Sequence, residues 1–150
     1  MHRRGVLILC LVLAACAPIP SVVLQDLSGN QNPRRFTLQS VHGVRDGDRM
    51  PVQVLISDSR SIMRLDLHFA IGVPTTLESG TWNWSFLGGD SRDGTVSARS
   101  VKFLGGQDGP PSIGGTFDLT GPGGYAYRVT IPLTVLPRSF RPSTSSQQHP

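Results

Sequence analysis

Few side chains in this sequence could carry a reaction, and their spacing decides which chemistry is open to them. Cysteine occurs twice, at Cys10 and Cys16, and histidine four times. Asp90, Asp93 and Asp108 stand in glycine-rich stretches and offer the hard oxygen ligands that calcium prefers. Their spacing matches no calcium loop, and Asp-Gly is itself a hairpin signal, so turn chemistry is the simpler account. His68 shares the polar positions of its stretch with Arg64 and Asp66. A His-Asp pair with a serine would be one route to nucleophilic catalysis. No Gly-x-Ser-x-Gly elbow, His-Glu-x-x-His or Cys-x-x-Cys accompanies it, and a lone surface histidine fits better. Glu78 is the only glutamate, so a paired-carboxylate site would need aspartate. The glycine pairs at Gly105-Gly106 and Gly114-Gly115 lack the lysine and the following helix of a phosphate loop. Trp82 and Trp84 would make a sugar-stacking platform if their face were exposed. Their same-face spacing with Phe86 points instead to the core. The chain therefore reads as a non-enzyme without a cofactor. Its candidate ligand-binding residues are Trp82 and Trp84, and its candidate metal ligands are Asp90, Asp93 and Asp108.

Cys16 is different. His2, Arg3 and Arg4 form a short basic region, and an unbroken apolar run follows from Val6 to Leu13. This is a signal-peptide layout, too short to span a bilayer. Cleavage after Ala17 would place small residues at the required positions but leave Pro18 at the new terminus. Cleavage before Cys16 meets no such objection. Leu13-Ala14-Ala15-Cys16 resembles the lipobox of bacterial lipoproteins. The resemblance covers this segment alone. It implies a diacylglycerol thioether on the Cys16 sulfur and a further acyl chain, such as palmitate, on its new amine. One chain anchors marginally, at about 0.8 kcal/mol per buried CH₂, and additional chains anchor stably. Ala17 rather than Asp at the next position implies, for a Gram-negative lipoprotein, delivery to the outer membrane, facing the periplasm.

Loss of residues 1–15 removes Cys10, and lipid would consume Cys16. No disulfide could then form within the chain, and the fold must stand on its hydrophobic core. The formal charge of +4 includes Arg3 and Arg4, so the mature chain is near +2. Lys102 is the sole lysine, and the arginines are scattered, paired only at Arg34-Arg35 and loosely at Arg138 and Arg141. That is no nucleic-acid footprint, which would cluster its charge on one face.

The elements that must position these residues read as strands throughout. Ala17 to Ser21 contains Pro18 and Pro20, making residues 16–21 an extended lipidated tether. A β-domain follows over 22–136. Met63, Leu65, Leu67 and Phe69 alternate with Arg64, Asp66 and His68, the period of a half-buried strand. Trp82, Trp84 and Phe86 repeat it with aromatics. Tyr125 to Val135 is the longest such run, with every odd position apolar or aromatic and Pro132 on the other face. Val96 and Ala98 occupy even positions while Val101 and Phe103 occupy odd ones. That switch predicts a β-bulge near Arg99-Ser100. Residues 137–150 are rich in Pro, Ser and Gln and read as a disordered tail. About seven or eight short strands separated by turns predict an all-β fold, an antiparallel β-sandwich, with a small β-barrel as the alternative. Gly80-Thr81-Trp82 resembles a run in avidin-like and lipocalin-like barrels, a likeness of three residues that carries no function across.

The functional expectation is a membrane-anchored lipoprotein with a non-enzymatic β-domain. It would bind or help assemble another cell-envelope or secretion component, and no nucleic acid. The alternative is a barrel inhibitor or small-ligand carrier. An open sheet edge would serve the first, and an enclosed cavity the second.

Overall fold

The computed structural model describes residues 20–105 and 110–136. Within them the chain forms β1 (Ser21–Asp26), β2 (Arg34–Gly43), β3 (Arg49–Ser57), β4 (Ser61–Ala70), β5 (Thr76–Phe86), β6 (Ser91–Leu104), β7 (Ser112–Gly121) and β8 (Tyr125–Val135). Each strand pairs antiparallel with the next, and β8 returns to pair with β1. The fold is all-β and antiparallel, and the sheet takes the barrel layout rather than the sandwich. The signal segment, Cys16, Asp108 and residues 137–150 lie outside the described residues.

Strand alternation builds the wall and the core together. In β4, Met63, Leu65, Leu67 and Phe69 are buried while Ile62, Arg64 and His68 are exposed. Corresponding inward positions of the other strands bring Phe36, Ile56, Trp82, Trp84, Phe117 and Leu119 into one continuous core. Full burial of such side chains contributes roughly 1.5–3 kcal/mol each.

Bulges bend this single sheet until its edges meet. The β2–β3 register skips Gln39, the β4–β5 register skips Glu78, and the β6–β7 register skips Arg99. In the β7–β8 pair, Ile113 and Gly115 face Thr134 and Ile131, so β8 carries an extra residue around Pro132. Each extra residue bends and twists its strand, and the inward parity changes there. The switch near Arg99 is therefore a bulge within one sheet, not a crossing between two. At Pro132 it corrects the sequence expectation for β8. Leu133 and Val135 point outward, 44% and 56% exposed, and Leu136 turns inward at 1%. Pro132 lacks an N–H and lies beyond Val23↔Thr130, where the β1–β8 pairing ends, so it deprives that neighbour of no ladder bond.

The alternating strand directions define two poles. The β1–β2, β3–β4, β5–β6 and β7–β8 turns form the upper pole, and the other connections form the lower. At the upper pole Asp58 accepts hydrogen bonds from the Arg60 backbone N–H at 2.9 Å and the Ser61 hydroxyl at 2.8 Å. It also accepts one from the Arg34 guanidinium. Partial burial works against its charge, but these donors together hold its carboxyl below the usual range. On the outer wall Asp118 accepts from Arg128 at 2.8 and 3.3 Å, with Arg99 at 3.5 Å. The Arg128 hydrogen bond is the main reason that its carboxyl is also held low. A depressed folded pKa gives stability that is present above the unfolded value, about 3.9, and lost as pH falls through the folded value. Urea midpoints should therefore hold from pH 7 to about 5 and fall below about pH 4. Asp58→Asn should lower the neutral-pH midpoint and flatten the acid limb. An acid limb as steep as the wild type's would exclude Asp58 as a contributor.

Candidate functional site

The barrel wall is incompletely zipped between β5 and β6. β5 pairs with β4 from Thr76 onward, and β6 pairs with β7 as far as Leu104. Between β5 and β6, however, pairing runs only over Thr81–Ser85 and Ser91–Thr95. The facing edges of Thr76–Gly80 and Val96–Leu104 make no ladder with each other. The bulges at Glu78 and Arg99 stand on the two sides of this seam and turn the strands apart. Gly80 stands at the last close approach of the two strands, where a Cβ would lie 2.9 Å from the Val96 Cβ.

The seam opens into a groove of about 520 Å³. Leu77, Val96 and Val101 supply apolar surface continuous with the core, and Thr76, Glu78 and Ser97 supply polar groups. Two unpaired edges over an apolar floor can accept an extended segment, which would take main-chain hydrogen bonds from the edges and bury alternate side chains.

The interior offers less room. Trp82 and Trp84, the residues suggested for stacking a sugar, point inward and are buried, so neither presents an open face to solution. Trp84 meets Phe36, Phe86 and Tyr127 at ring-centroid distances of 5.8, 4.6 and 5.4 Å. Arg34 and Arg92 approach the same indole at 5.0 and 5.7 Å from the upper mouth. Arg92 also donates to the Tyr127 hydroxyl at 2.6 Å and stacks on Tyr125 at 4.5 Å. Cation–π contacts of this kind stabilise a positive charge over a ring face. They close the mouth, leaving a pocket of about 180 Å³ beside Asp26, Arg92 and Tyr125. Ligand sites for drug-sized molecules begin near 300 Å³.

The carboxylates and histidines do not converge. Among the described residues no three His, Cys, Asp or Glu side chains form a group able to hold a metal ion. Asp90 ends the β5–β6 turn, where its carbonyl accepts the Phe86 N–H at 2.9 Å. Asp93 is not in a turn. It lies within β6, opposite Asn83, with Gly94 opposite Trp82. That corrects the hairpin reading of Asp93-Gly94, and the glycine serves a different need. A Cβ at Gly94 would run into the Thr120 carbonyl, to which the Trp82 indole N–H donates at 3.0 Å. His68 faces outward, but Asp66 accepts from Arg64 at 2.9 Å and from Gln53 at 3.1 Å.

No protein-family model matches the chain, and neither a curated protein nor a solved structure matches it. The functional reading therefore rests on the geometry of the chain itself. The seam was half-legible in the sequence. The parity switch at Arg99-Ser100 marked one of its bulges, but Thr76–Thr81 lacked a strand signal, and so the facing edge was missed.

Proposed function

We propose that this chain is an outer-membrane lipoprotein, anchored through Cys16, whose β-barrel binds or helps assemble another envelope or secretion component without catalysing a reaction. The observation that carries this reading is the unzipped β5–β6 seam. Its occupant would be an extended segment of the partner, laid against the edges of Thr76–Gly80 and Val96–Leu104. Capture of Asp66 by Arg64 and Gln53 supports the non-enzymatic part, because the one sequence-adjacent His-Asp candidate has another use for its carboxylate. The lipobox resemblance supports the anchor. A small-ligand carrier remains the second reading, because a groove of about 520 Å³ is large enough for a ligand.

The test places a photo-crosslinking amino acid at Ser97, on the groove, or at Gln25, exposed on β1 three strands around the barrel. Irradiated cells should give a protein adduct from Ser97 and none from Gln25. The same adducts from both positions, or none from either, would remove the seam as a binding surface. A small molecule retained by the protein through native mass spectrometry, with no adduct, would favour the carrier. In parallel, Cys16→Ser should abolish incorporation of a palmitate analogue, since the acyl-bearing thioether needs the thiol. Equal labelling of wild type and variant would sink the anchor.

A further inference from the structure

We infer that the barrel rests on the bilayer by its β8–β1–β2 side at the lower pole, with Val44, Leu133 and Val135 at the lipid boundary. This rests on the Cys16 anchor proposed above. The tether decides the geometry. Pro20 already lies against the wall, its carbonyl accepting the Leu38 N–H at 3.0 Å. Only four Cα steps separate it from Cys16, a reach of about 14 Å at full extension. A strand of ten residues such as β2 rises roughly 33 Å before tilt. The lipid attachment point is therefore confined to the neighbourhood of the place where β1 enters the wall.

Exposed apolar side chains occur at several places, including Leu27, Ile62, Val73 and Leu104, so exposure alone selects no face. The tether selects among them. Below the last β1–β8 pair, the outer surface of β8 presents Leu133 and Val135, the two residues that the Pro132 bulge turned outward. Val44 follows the end of β2 on the other side of β1. Apolar groups beside a short lipid tether gain by entering the headgroup–acyl boundary. Leu87 is even more exposed, at 83%, but it lies at the upper pole between β5 and β6, across the ring from β1. Held this way, the barrel keeps its β5–β6 seam, which opens toward the same lower pole, on the flank of the ring opposite β1.

Cys10 leaves with the signal and acylation blocks the Cys16 thiol, so an added cysteine is the only free thiol of the mature chain. Val135→Cys and Leu87→Cys, each labelled with an environment-sensitive fluorophore, would be placed as full-length lipidated protein in phosphatidylethanolamine–phosphatidylglycerol vesicles. Brominated acyl chains should quench the label at position 135 several-fold more than the label at 87, and its emission should shift to the blue. Equal quenching, or stronger quenching at 87, overturns the orientation. The mass of the purified protein separates the two layers of the argument. An unacylated Cys16 refutes the anchor and the orientation together, whereas an acylated protein with equal quenching refutes the orientation alone.

Discussion

Trp84→Ala is expected to lower the stability of the barrel by about 3–5 kcal/mol, because it empties the volume of a fully buried indole. The site cannot easily collapse. Phe36, Phe86 and Tyr127 press on the ring from three neighbouring positions, and two guanidiniums lie over it. Removing the ring takes the aromatic surface from beneath Arg34 and Arg92 as well, which loosens the upper mouth. Trp84→Phe separates the parts. The Trp84 Nε1 is buried and has no acceptor among the described residues. An unsatisfied buried donor costs on the order of 1–3 kcal/mol, so deleting it offsets part of the lost ring. The phenylalanine variant should therefore sit much closer to wild type than the alanine variant does. Urea unfolding of both decides it. A loss below about 1 kcal/mol for alanine would place the ring outside the core.

Strand positions were legible because each strand's own alternation reports which face is wet. The closure was not, because alternation says nothing of which strands are neighbours. β1 meets β8 through a pairing of residues more than a hundred positions apart. The bulges show the same limit at smaller scale. At Arg99 the apolar residues on either side change parity, so the switch was visible. Around Pro132 the sequence keeps apolar residues at odd positions on both sides, and the backbone switch was hidden behind Leu133 and Val135. Those two exposed side chains are what a pattern reading assigns to the core. The seam depends on register between two strands, and each strand's sequence is silent about that.

Gly94 is the clearest case of a local signal with a non-local cause, and it gives the second large expected effect. The sequence presents Asp93-Gly94 as a turn, yet β6 runs straight through it. What requires glycine is the approach of three strands. Trp82 on β5 lies directly opposite Gly94, and its indole passes over it to donate to Thr120 on β7. On β7, Gly121 lies beside the same ring, and a Cβ there would stand 3.2 Å from the Trp82 Cζ2. A side chain at Gly94 would meet the Thr120 carbonyl and stand 2.7 Å from the Trp82 Nε1. Both are held by ladders, so one strand must shift. Overpacking costs typically 1–3 kcal/mol, and the stranded indole donor about as much again. Gly94→Ala should thus destabilise by roughly 3–5 kcal/mol, a large loss for so small a side chain. Trp82→Phe provides the check. It abolishes the indole donor in advance, so Gly94→Ala in that background should cost about 1–2 kcal/mol less, a coupling that a double-mutant cycle measures directly. Additive costs would mean that the glycine answers only to the Thr120 backbone. A neutral Gly94→Ala would mean that β6 and β7 have slack at this point.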